Sequence, residues 1–370
     1  MAEKQHKYDA GKILLDVSRA VNSSLDPDEV GRIVLRESRK AMGSDHASLF
    51  LVDDKSGHFI LAGADGFSED EMDNIKLLSG WEMINDHLLK NKESLVVNDV
   101  HKDAIFKDEK LPSSGEEFPM ESFLAVPLET RGKVVGALMI SNRERPGHAF
   151  TDEDKDLLMA MSNNIAIALL NARLYSRMKN LFLSTITSLT RAIDAKDSYT
   201  SGHSERVMKY AVAIGKEMKF DEEFLENLRL SSLLHDIGKI GVKESILMKP
   251  AKLLGYERRQ MRMHPSIGAR IIETMDDSRI IQRGILEHHE RFDGKGYPNH
   301  LKGEQISIEA RIISVADVFD ALTTDRPYQQ GDLRDKVFQK IKDEASSQFD
   351  PRVVSAFVDS YNKNPDIWNC

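Results

Sequence analysis

The stretch FTDEDKDLLMAMSNNIAIALLNARLYSRMKNLFLSTITSLTRAI, residues 150–193, predicts one long helix that divides the chain into two halves. Thr151 is a suitable N-cap, with Asp154 three residues later and further acids in the first turn. Apolar residues then recur every seven positions in two registers, which are Leu158, Ile165, Ala172, Ile186 and Ile193, interrupted by Lys179, and Met161, Ala168, Tyr175, Phe182 and Leu189. This spacing of three and four residues predicts a coiled coil.

The apolar registers of this helix have two interpretations. A coiled coil over residues 156–195 predicts a parallel homodimer and a stiff rod between the two halves. Alternatively, the apolar stripe packs on the domain from which the helix emerges. The sequence leaves both interpretations open.

The half that precedes the helix mixes helix and strand signals. Residues 12–42 carry apolar residues at helical spacing up to a break at Gly43, and residues 47–66 read as two strands around a turn at Asp53–Gly57. SLVVND, residues 94–99, is a short strand candidate, and SFLAVPLETRGKVVGALMISN, residues 122–142, predicts a hairpin with Arg131-Gly132 at its turn. This order predicts an α+β domain, an antiparallel sheet with helices, over residues 1–155.

The half that follows the helix has no strand signals. From about residue 196 the pattern becomes helices separated by glycine and proline, which predicts an all-α domain over residues 196–370.

Composition limits the classes of function. The 370 residues are 41% hydrophobic and 30% charged, as in globular proteins, and the net charge of −9 argues against a binder of nucleic acid polymers. Cys370 is the single cysteine, so any metal site must use His, Asp and Glu. The sequence shows neither an uninterrupted apolar run of about 20 residues nor a signal peptide, so we expect a cytoplasmic protein without a membrane span.

Histidines and aspartates recur at helix boundaries in the second half. His235 and Asp236 lie in the last turn of an apolar helix that Gly238 and Gly241 would stop, and His264 begins a helix with Pro265 in its first turn. His203 lies beside a helix start, His288 and His289 end another helix, and Asp317 lies among apolar helical residues.

Imidazole and carboxylate donors together suit Fe, Mn or Zn, and the carboxylates favour Fe and Mn. A carboxylate can bridge two metals, and a pair of cations can activate a water and clamp a phosphoryl oxygen. Neighbouring residues on a helix point about 100° apart, so His288 and His289 would face different sides of such a centre. A lone His-Asp pair would carry little weight, but several such elements in one all-α domain predict a metal site.

Residues from about 196 to 360 resemble the HD-GYP family of cyclic di-GMP phosphodiesterases, a branch of the HD metal-dependent phosphohydrolases. The motifs YTSGHSERV, LLHDIGKIGV, HPSIGARII, HHERFDGKGYP, ARIISVADVFDALTTDRPY and FDPRVV occur in order. The resemblance implies two divalent metal ions, Fe or Mn, held by His203, His235, Asp236, His264, His288, His289 and Asp317. It further implies catalytic roles for Asp236, which would bridge the metals and orient the attacking hydroxide, and for Lys239, which would sit by the scissile phosphate.

The Gly-Tyr-Pro loop of the family is present as Gly296, Tyr297 and Pro298, in which glycine permits unusual backbone turns and proline fixes the exit. The substrate would contact Lys239, Lys295, Gly296, Tyr297, Pro298 and Arg326.

The chain departs from the family at two places. Tyr199 stands where some members place a third-metal glutamate, so we expect two metals. Gln329 and Gln330 follow Arg326 in a segment that is often basic, which would weaken contacts to the substrate phosphates.

Residues 10–172 resemble a GAF sensory domain, on their α+β order and on the run from VPLETRGKVVGALMISN into the long helix. The resemblances together imply an α+β GAF domain joined by a coiled-coil helix to an all-α HD-type domain. GAF domains bind varied small ligands, although one that only dimerises stays an alternative.

The function implied is metal-dependent hydrolysis of the second messenger cyclic di-GMP under control of the GAF domain. The product is pGpG, and whether a second cleavage yields GMP stays open. Two alternatives stay open. The chain could bind cyclic di-GMP or a GGDEF-domain partner with little turnover, or it could be an HD phosphohydrolase acting on another nucleotide.

Overall fold

A computed structural model describes residues 10–68, 85–100, 102–103, 121–143, 149–196, 202–274, 278–324 and 334–368. The chain divides into two compact units, Met1–Asn180 and Leu181–Cys370, and each has its own hydrophobic core.

The first unit opens with two helices, α1 (Ala10–Val21) and α2 (Pro27–Met42). The expectation of a single helical run up to Gly43 missed the break between them. Asp26 caps α2, because its carboxylate accepts the backbone N–H groups of Asp28 and Glu29, and Pro27 occupies the first turn. The Asp26-Pro27 pair is the local signal for this break, and Gly43, with φ 56°, ends α2 as expected.

The sheet of the first unit is five-stranded and antiparallel, in the order β2-β1-β5-β4-β3. The strands are β1 (Ser44–Val52), β2 (Phe59–Asp65), β3 (Leu95–Val97), β4 (Phe123–Thr130) and β5 (Lys133–Arg143). A short π-helical turn, Asn85–Lys90, precedes β3. Arg131 and Gly132 join β4 to β5 with φ of 52° and 75°, the two positive values that a tight hairpin turn needs. The predicted strand pairs and the α+β class are thereby confirmed.

The long helix is α3 (Asp152–Lys196). Thr151 and Asp154 form the predicted cap, since the Asp154 carboxylate accepts the Thr151 N–H at 2.8 Å while Thr151 Oγ1 accepts the Asp154 N–H at 3.3 Å. Up to Ala172 its apolar stripe packs in the core of the first unit. Beyond that point several large apolar side chains are exposed, which are Leu174, Tyr175, Met178, Leu181, Phe182 and Leu189. Packing on its own domain therefore explains the first part of the stripe. In the second part Ile186 is buried, but the six side chains named above are exposed.

By length and composition alone, one helix within the described part of the chain, Asp152–Asp194, could cross a membrane. A share of 44% of its apolar window is buried inside the protein, and buried core helices pass the same test, so this helix is weak evidence for a membrane span.

The second unit is helical, as predicted. After the end of α3 it contains α4 (His203–Glu217), α5 (Glu222–Leu234), α6 (Glu244–Leu247), α7 (Gly255–Met261), α8 (His264–Ile271), α9 (Arg279–Glu287), α10 (Ile308–Thr323), α11 (Arg334–Asp343), α12 (Pro351–Lys363) and α13 (Pro365–Trp368). Short 3₁₀ turns lie at Ile237–Gly241, Ile272–Thr274 and Gly303–Gln305.

Two apolar clusters hold the second unit together. The larger joins α4, α10 and α12 around Trp368, which is fully buried and stacks on Tyr210 at 4.7 Å between ring centroids. The smaller joins Ile186 of α3 to α5 and α9. Helices α4, α5, α8, α9 and α10 thus pack around one region, and their ends carry the predicted site.

Candidate metal centre

The predicted donors all lie at helix boundaries or on one buried helix. His203 is the first residue of α4, and His264 is the first residue of α8, directly after α7. His235 and Asp236 follow α5, which ends at Leu234, so they lie just beyond the last helical turn in which the sequence placed them. His288 and His289 follow α9, and Asp317 lies in the middle of α10.

The structure brings these donors together in two groups. His264, His288 and His289 place one ligand atom each within 4.8 Å of one another, and so do His203, His235 and Asp236. Either group has the number and type of donors that can hold a metal ion.

Asp236 lies between the two groups. Its Oδ1 is 3.2 Å from His264 Nε2, whereas its Oδ2 is 3.4 Å from His235 Nε2 and 3.9 Å from His203 Nε2. Asp317 adds a second carboxylate, with Oδ1 3.3 Å from His203 Nε2. The two oxygens of one carboxylate therefore face different sets of histidines, which is the geometry of a bridging ligand.

The donor atoms fit a cation because one of them is otherwise unsatisfied. His235 is fully buried, and its Nε2, although 3.4 Å from Asp236 Oδ2, makes no hydrogen bond to any described residue. Burying a polar atom without a partner costs about 1–3 kcal/mol. A cation bound to this nitrogen would remove that cost, so the residues present suit the metal that the sequence predicted.

Burial and neighbouring charges set the protonation of the carboxylates and of His203. Burial resists ionisation of Asp236, but Lys239 and His235 outweigh it, so that the pKa of Asp236 lies well below its usual range. Burial is likewise outweighed at Asp317, where His203 lowers the pKa. For His203, burial opposes protonation, but hydrogen bonds to Asp317 and Asp320 raise its pKa to about 9. Both carboxylates are therefore ionised at neutral pH.

His288 and His289, in the other group of donors, have lowered pKa values, unlike His203. Burial and the adjacent histidines lower the pKa of His289 to about 4, and they hold the pKa of His288 well below its ordinary value. Both rings are neutral at pH 7, which is the state in which imidazole binds a cation.

Lys239 lies at the rim of the cluster. It belongs to the 3₁₀ turn after Asp236, and its Nζ is 2.7 Å from Asp236 Oδ2. The turn packs so tightly on α8 that a Cβ at Gly238 would lie 1.9 Å from the His264 carbonyl oxygen. Gly238 thus allows the His235-Asp236 pair and His264 to approach each other.

The Gly-Tyr-Pro loop closes one side of the cluster. The Tyr297 ring lies 4.9 Å from the His289 ring between centroids, and the Tyr297-Pro298 peptide bond is cis. Gly294 has a positive φ of 82°, whereas Gly296 is required for space, because a Cβ there would lie 2.3 Å from the Arg291 nitrogen. Gly294 therefore serves an unusual backbone turn, as expected of the loop glycines. Gly296 does not, and glycine is needed there because a side chain would not fit.

The remaining predicted substrate residues differ in their placement. Lys295 is exposed on this loop, and the contact the structure records for it is its backbone N–H donating to Asp293. Arg326 lies outside the described residues, as do Tyr199, Gln329 and Gln330. The structure therefore brings the predicted metal ligands together more fully than the predicted substrate contacts.

Several residues that contact the cluster were not predicted from the sequence. Asp320 is buried and lies 2.7 Å from His203 Nδ1, and Arg206 donates to both of its oxygens at 2.6 and 3.0 Å. Arg262 lies 4.9 Å from the centre of the Tyr297 ring. Asp320 and Arg206 each follow a predicted donor by three residues on the same helix, and that spacing is the signal that could have identified them.

Two known domain families match the chain. The HD domain family matches residues 187–353, and the GAF domain family matches residues 26–169. The HD match lies within the second unit and includes the end of α3, and the GAF match lies within the first unit.

Curated proteins from bacteria are similar to this chain. A cyclic di-GMP phosphodiesterase of Thermotoga maritima is 30% identical over 79% of this chain and 78% of its own length. The cyclic di-GMP phosphodiesterase response regulator RpfG of Xanthomonas campestris is 40% identical over 47% of each chain. The 3'3'-cGAMP-specific phosphodiesterase 3 of Vibrio cholerae is 37% identical over 49% of this chain and 39% of its own.

The last two matches span less than half the length of those relatives, whereas the Thermotoga protein matches across most of both chains. Its alignment is long enough to include parts of both units. The chain, with its GAF and HD domains, thus belongs to the same family as the Thermotoga maritima cyclic di-GMP phosphodiesterase.

Proposed function

We propose that the chain is a phosphodiesterase of the HD-GYP type that hydrolyses cyclic di-GMP to pGpG, with a second cleavage to GMP as the alternative end point. The observation that carries this proposal is the position of Asp236, whose two oxygens face two separate groups of histidines. The names of the Thermotoga and Xanthomonas relatives support the choice of substrate.

In this proposal two divalent cations, Fe or Mn, occupy the centre. His203, His235 and Asp317 would hold one, His264, His288 and His289 would hold the other, and Asp236 would bind both. Nitrogen and carboxylate donors without thiolates suit these metals. When bound, such a pair supplies an activated water and positive charge at a phosphoryl oxygen.

The residues of the chain contribute position and charge. Lys239 would hold a non-bridging oxygen of the scissile phosphate, since its ammonium lies at the edge of the cluster beside Asp236. Tyr297, Gly296 and Pro298 would form one wall of the substrate site, with Lys295 and Arg326 as further phosphate contacts. Asp236 would remain the catalytic carboxylate that orients the attacking oxygen.

A second candidate substrate is 3'3'-cGAMP, which the Vibrio relative's name specifies. The two cyclic dinucleotides share their phosphodiester groups and differ in one base. Groups that contact phosphate, such as Lys239, would serve either substrate, so a direct comparison of turnover decides between them.

The test is anaerobic purification with metal analysis, followed by turnover of cyclic di-GMP, 3'3'-cGAMP and a linear dinucleotide on the same sample. We expect two metals per chain and hydrolysis of a cyclic substrate. His235→Ala and Asp236→Ala should remove metal and turnover together, whereas His58→Ala, at an exposed histidine of the first unit, should change neither. Binding without turnover by the metal-loaded protein would favour a binding module instead, and preference for the linear nucleotide would favour another HD phosphohydrolase.

The proposal extends to assembly and regulation. Residues 1–155 would form the sensory GAF domain, residues 156–195 the linking helix and residues 196–370 the HD-GYP domain. The exposed apolar residues of α3 support a homodimer through that helix, because a large uncovered apolar face favours self-association. A GGDEF-domain partner and a cytoplasmic location stay predictions.

A further inference from the structure

The histidines of the centre differ in what holds their second ring nitrogen. The Nδ1 atoms of His235, His264 and His288 lie 2.7, 2.9 and 2.6 Å from the carbonyl oxygens of Ser232, Met261 and Ile285, respectively. Each of these histidines directly follows, or closely follows, the end of a helix. The last carbonyls of a helix lack intrahelical partners, so they are available to accept an imidazole N–H.

His203 cannot use this arrangement. It is the first residue of α4, and Gly202 before it has a left-handed φ of 71°, so His203 begins a helix instead of following one. A side chain takes the role of the carbonyl, since Asp320 Oδ2 lies 2.7 Å from His203 Nδ1. Asp320 is itself 1% exposed and is held by Arg206 at both oxygens.

The difference between a carbonyl and a carboxylate matters for metal binding. Either acceptor holds Nδ1 and leaves Nε2 as the metal-binding atom. The ionised carboxylate also raises the pKa of His203, so a cation must displace a proton from this ring, but the neutral ring is then the stronger ligand. The two-point contact from Arg206 keeps Asp320 in one orientation. His203 Nε2 points toward Asp317 and Asp236, so the effect falls on their side of the centre.

We propose that Asp320 is a positioning residue that makes the half of the centre formed by His203, His235 and Asp317 bind its cation more tightly than the half formed by His264, His288 and His289. The inference rests on the proposed two-metal function and deepens it. It assigns an order of loading, in which the His203 half fills first and the other half exchanges its cation more readily.

The test is titration of the metal-free full-length protein with Mn²⁺, followed by calorimetry and by the electron paramagnetic resonance signal of unbound Mn²⁺. We expect two binding steps of unequal affinity. Asp320→Asn, which keeps the shape but removes the charge, should weaken the tighter step about 10- to 100-fold and leave the weaker step unchanged. In a His264→Ala background, the one step that remains should show the same weakening.

The matched control is Asp350→Asn, at another aspartate of the second unit with 1% exposure, whose partners are Arg311 and Arg352. It should leave both steps as in the wild type, even though it removes a buried charge. Asp320→Glu, which restores the charge, should recover part of the affinity and shows whether any loss comes from misfolding. If Asp320→Asn leaves both Mn²⁺ binding steps unchanged, or weakens both equally, the inference is overturned while the proposed function stands. A wild-type protein that binds no Mn²⁺ would overturn both.

Discussion

At the scale of single residues, the site depends on how closely backbone segments approach each other. Gly238 and Gly296 both occupy positions where a Cβ would lie within 2.4 Å of a backbone atom of another segment. Neither glycine has a positive φ, so glycine is required at both positions because a side chain would not fit. These contacts connect the turn after Asp236 to His264, and the Gly-Tyr-Pro loop to the segment that carries His289.

Gly238→Ala tests this dependence. A Cβ would lie 1.9 Å from the His264 carbonyl oxygen and 2.6 Å from the Gly268 nitrogen, and both are backbone atoms that cannot rotate away. We expect a loss of about 2 kcal/mol in unfolding free energy, as for other overpacked sites, together with weaker Mn²⁺ binding. Thermal unfolding and Mn²⁺ titration measure the two effects.

Gly255→Ala is the matched control, since a Cβ there has no heavy atom within 4 Å outside its neighbours. It should leave unfolding and Mn²⁺ binding unchanged. Equal behaviour of the two variants would show that the approach of the 3₁₀ turn to α8 does not limit the site.

Single residues also show which parts of the site could be predicted from the sequence. The donors could be predicted because each lies in a short motif whose residues are neighbours in the chain. Asp320 was not predicted, because its one signal in the sequence is the three-residue spacing from Asp317, whereas its contact with His203 joins residues 117 positions apart. Gly296 was singled out correctly, but the backbone against which it packs is visible only in the folded chain.

At the scale of elements, local chemistry explains most of what the sequence predicted. The α3 cap and the β4–β5 turn depend on residues a few positions apart, so both followed from the sequence. The sequence did not predict the division between α1 and α2, because apolar spacing continues across it and only Asp26-Pro27 marks the boundary. The exposure of Leu174, Met178 and Leu181 beyond the buried part of α3 depends on which residues pack against the helix, which periodicity does not reveal.

The exposed part of α3 predicts a dimer contact. Leu174 lies four residues before Met178, and Leu181 and Phe182 lie three and four residues after it, so all four lie on one face of the helix. They are between 43% and 67% exposed. The double substitution Met178→Glu and Leu181→Glu should convert a dimer to a monomer, because it places like charges on that face. Light scattering after gel filtration measures the mass.

Asn180→Glu adds the same charge on the opposite side of the helix and should leave the dimer intact. A wild-type protein that is monomeric at tens of micromolar would exclude this contact. A double variant that remains dimeric would place the contact elsewhere.

At the scale of the whole molecule, each unit has its own core, and the second unit also depends on a buried ion pair. Asp350 is 1% exposed, caps α12 and pairs with Arg311. Burial resists its ionisation, but hydrogen bonds to Arg352 and Arg311 outweigh that effect and lower its pKa. Its contribution to stability is therefore present above the unfolded pKa of about 4 and is lost as the pH falls through the lower folded value.

Asp350→Asn should accordingly cost about 3 kcal/mol at pH 7, because it leaves Arg311 without its buried partner. The difference from the wild type should shrink below about pH 4, where the wild-type carboxylate also takes up a proton. Urea unfolding followed by the fluorescence of Trp368, in a Trp81→Phe background, reports on the second unit. Asp359→Asn, at an exposed site on the same helix, should show no such dependence, and a penalty for Asp350→Asn that is constant with pH would contradict the assignment.

The donors of the centre come from chain segments as far apart as His203 and Asp317, which has a mechanical consequence. The two cations bound by these donors would together act as a reversible crosslink between α4, α5, α8, α9 and the middle of α10. Ligands that bind only the folded state raise its stability by mass action, about 2.7 kcal/mol at a hundredfold excess over the dissociation constant. Chelation should therefore lower the melting temperature of the helical half and leave that of the sheet-containing half in place, so that the cell's supply of metal would govern the lifetime of this half as well as its chemistry.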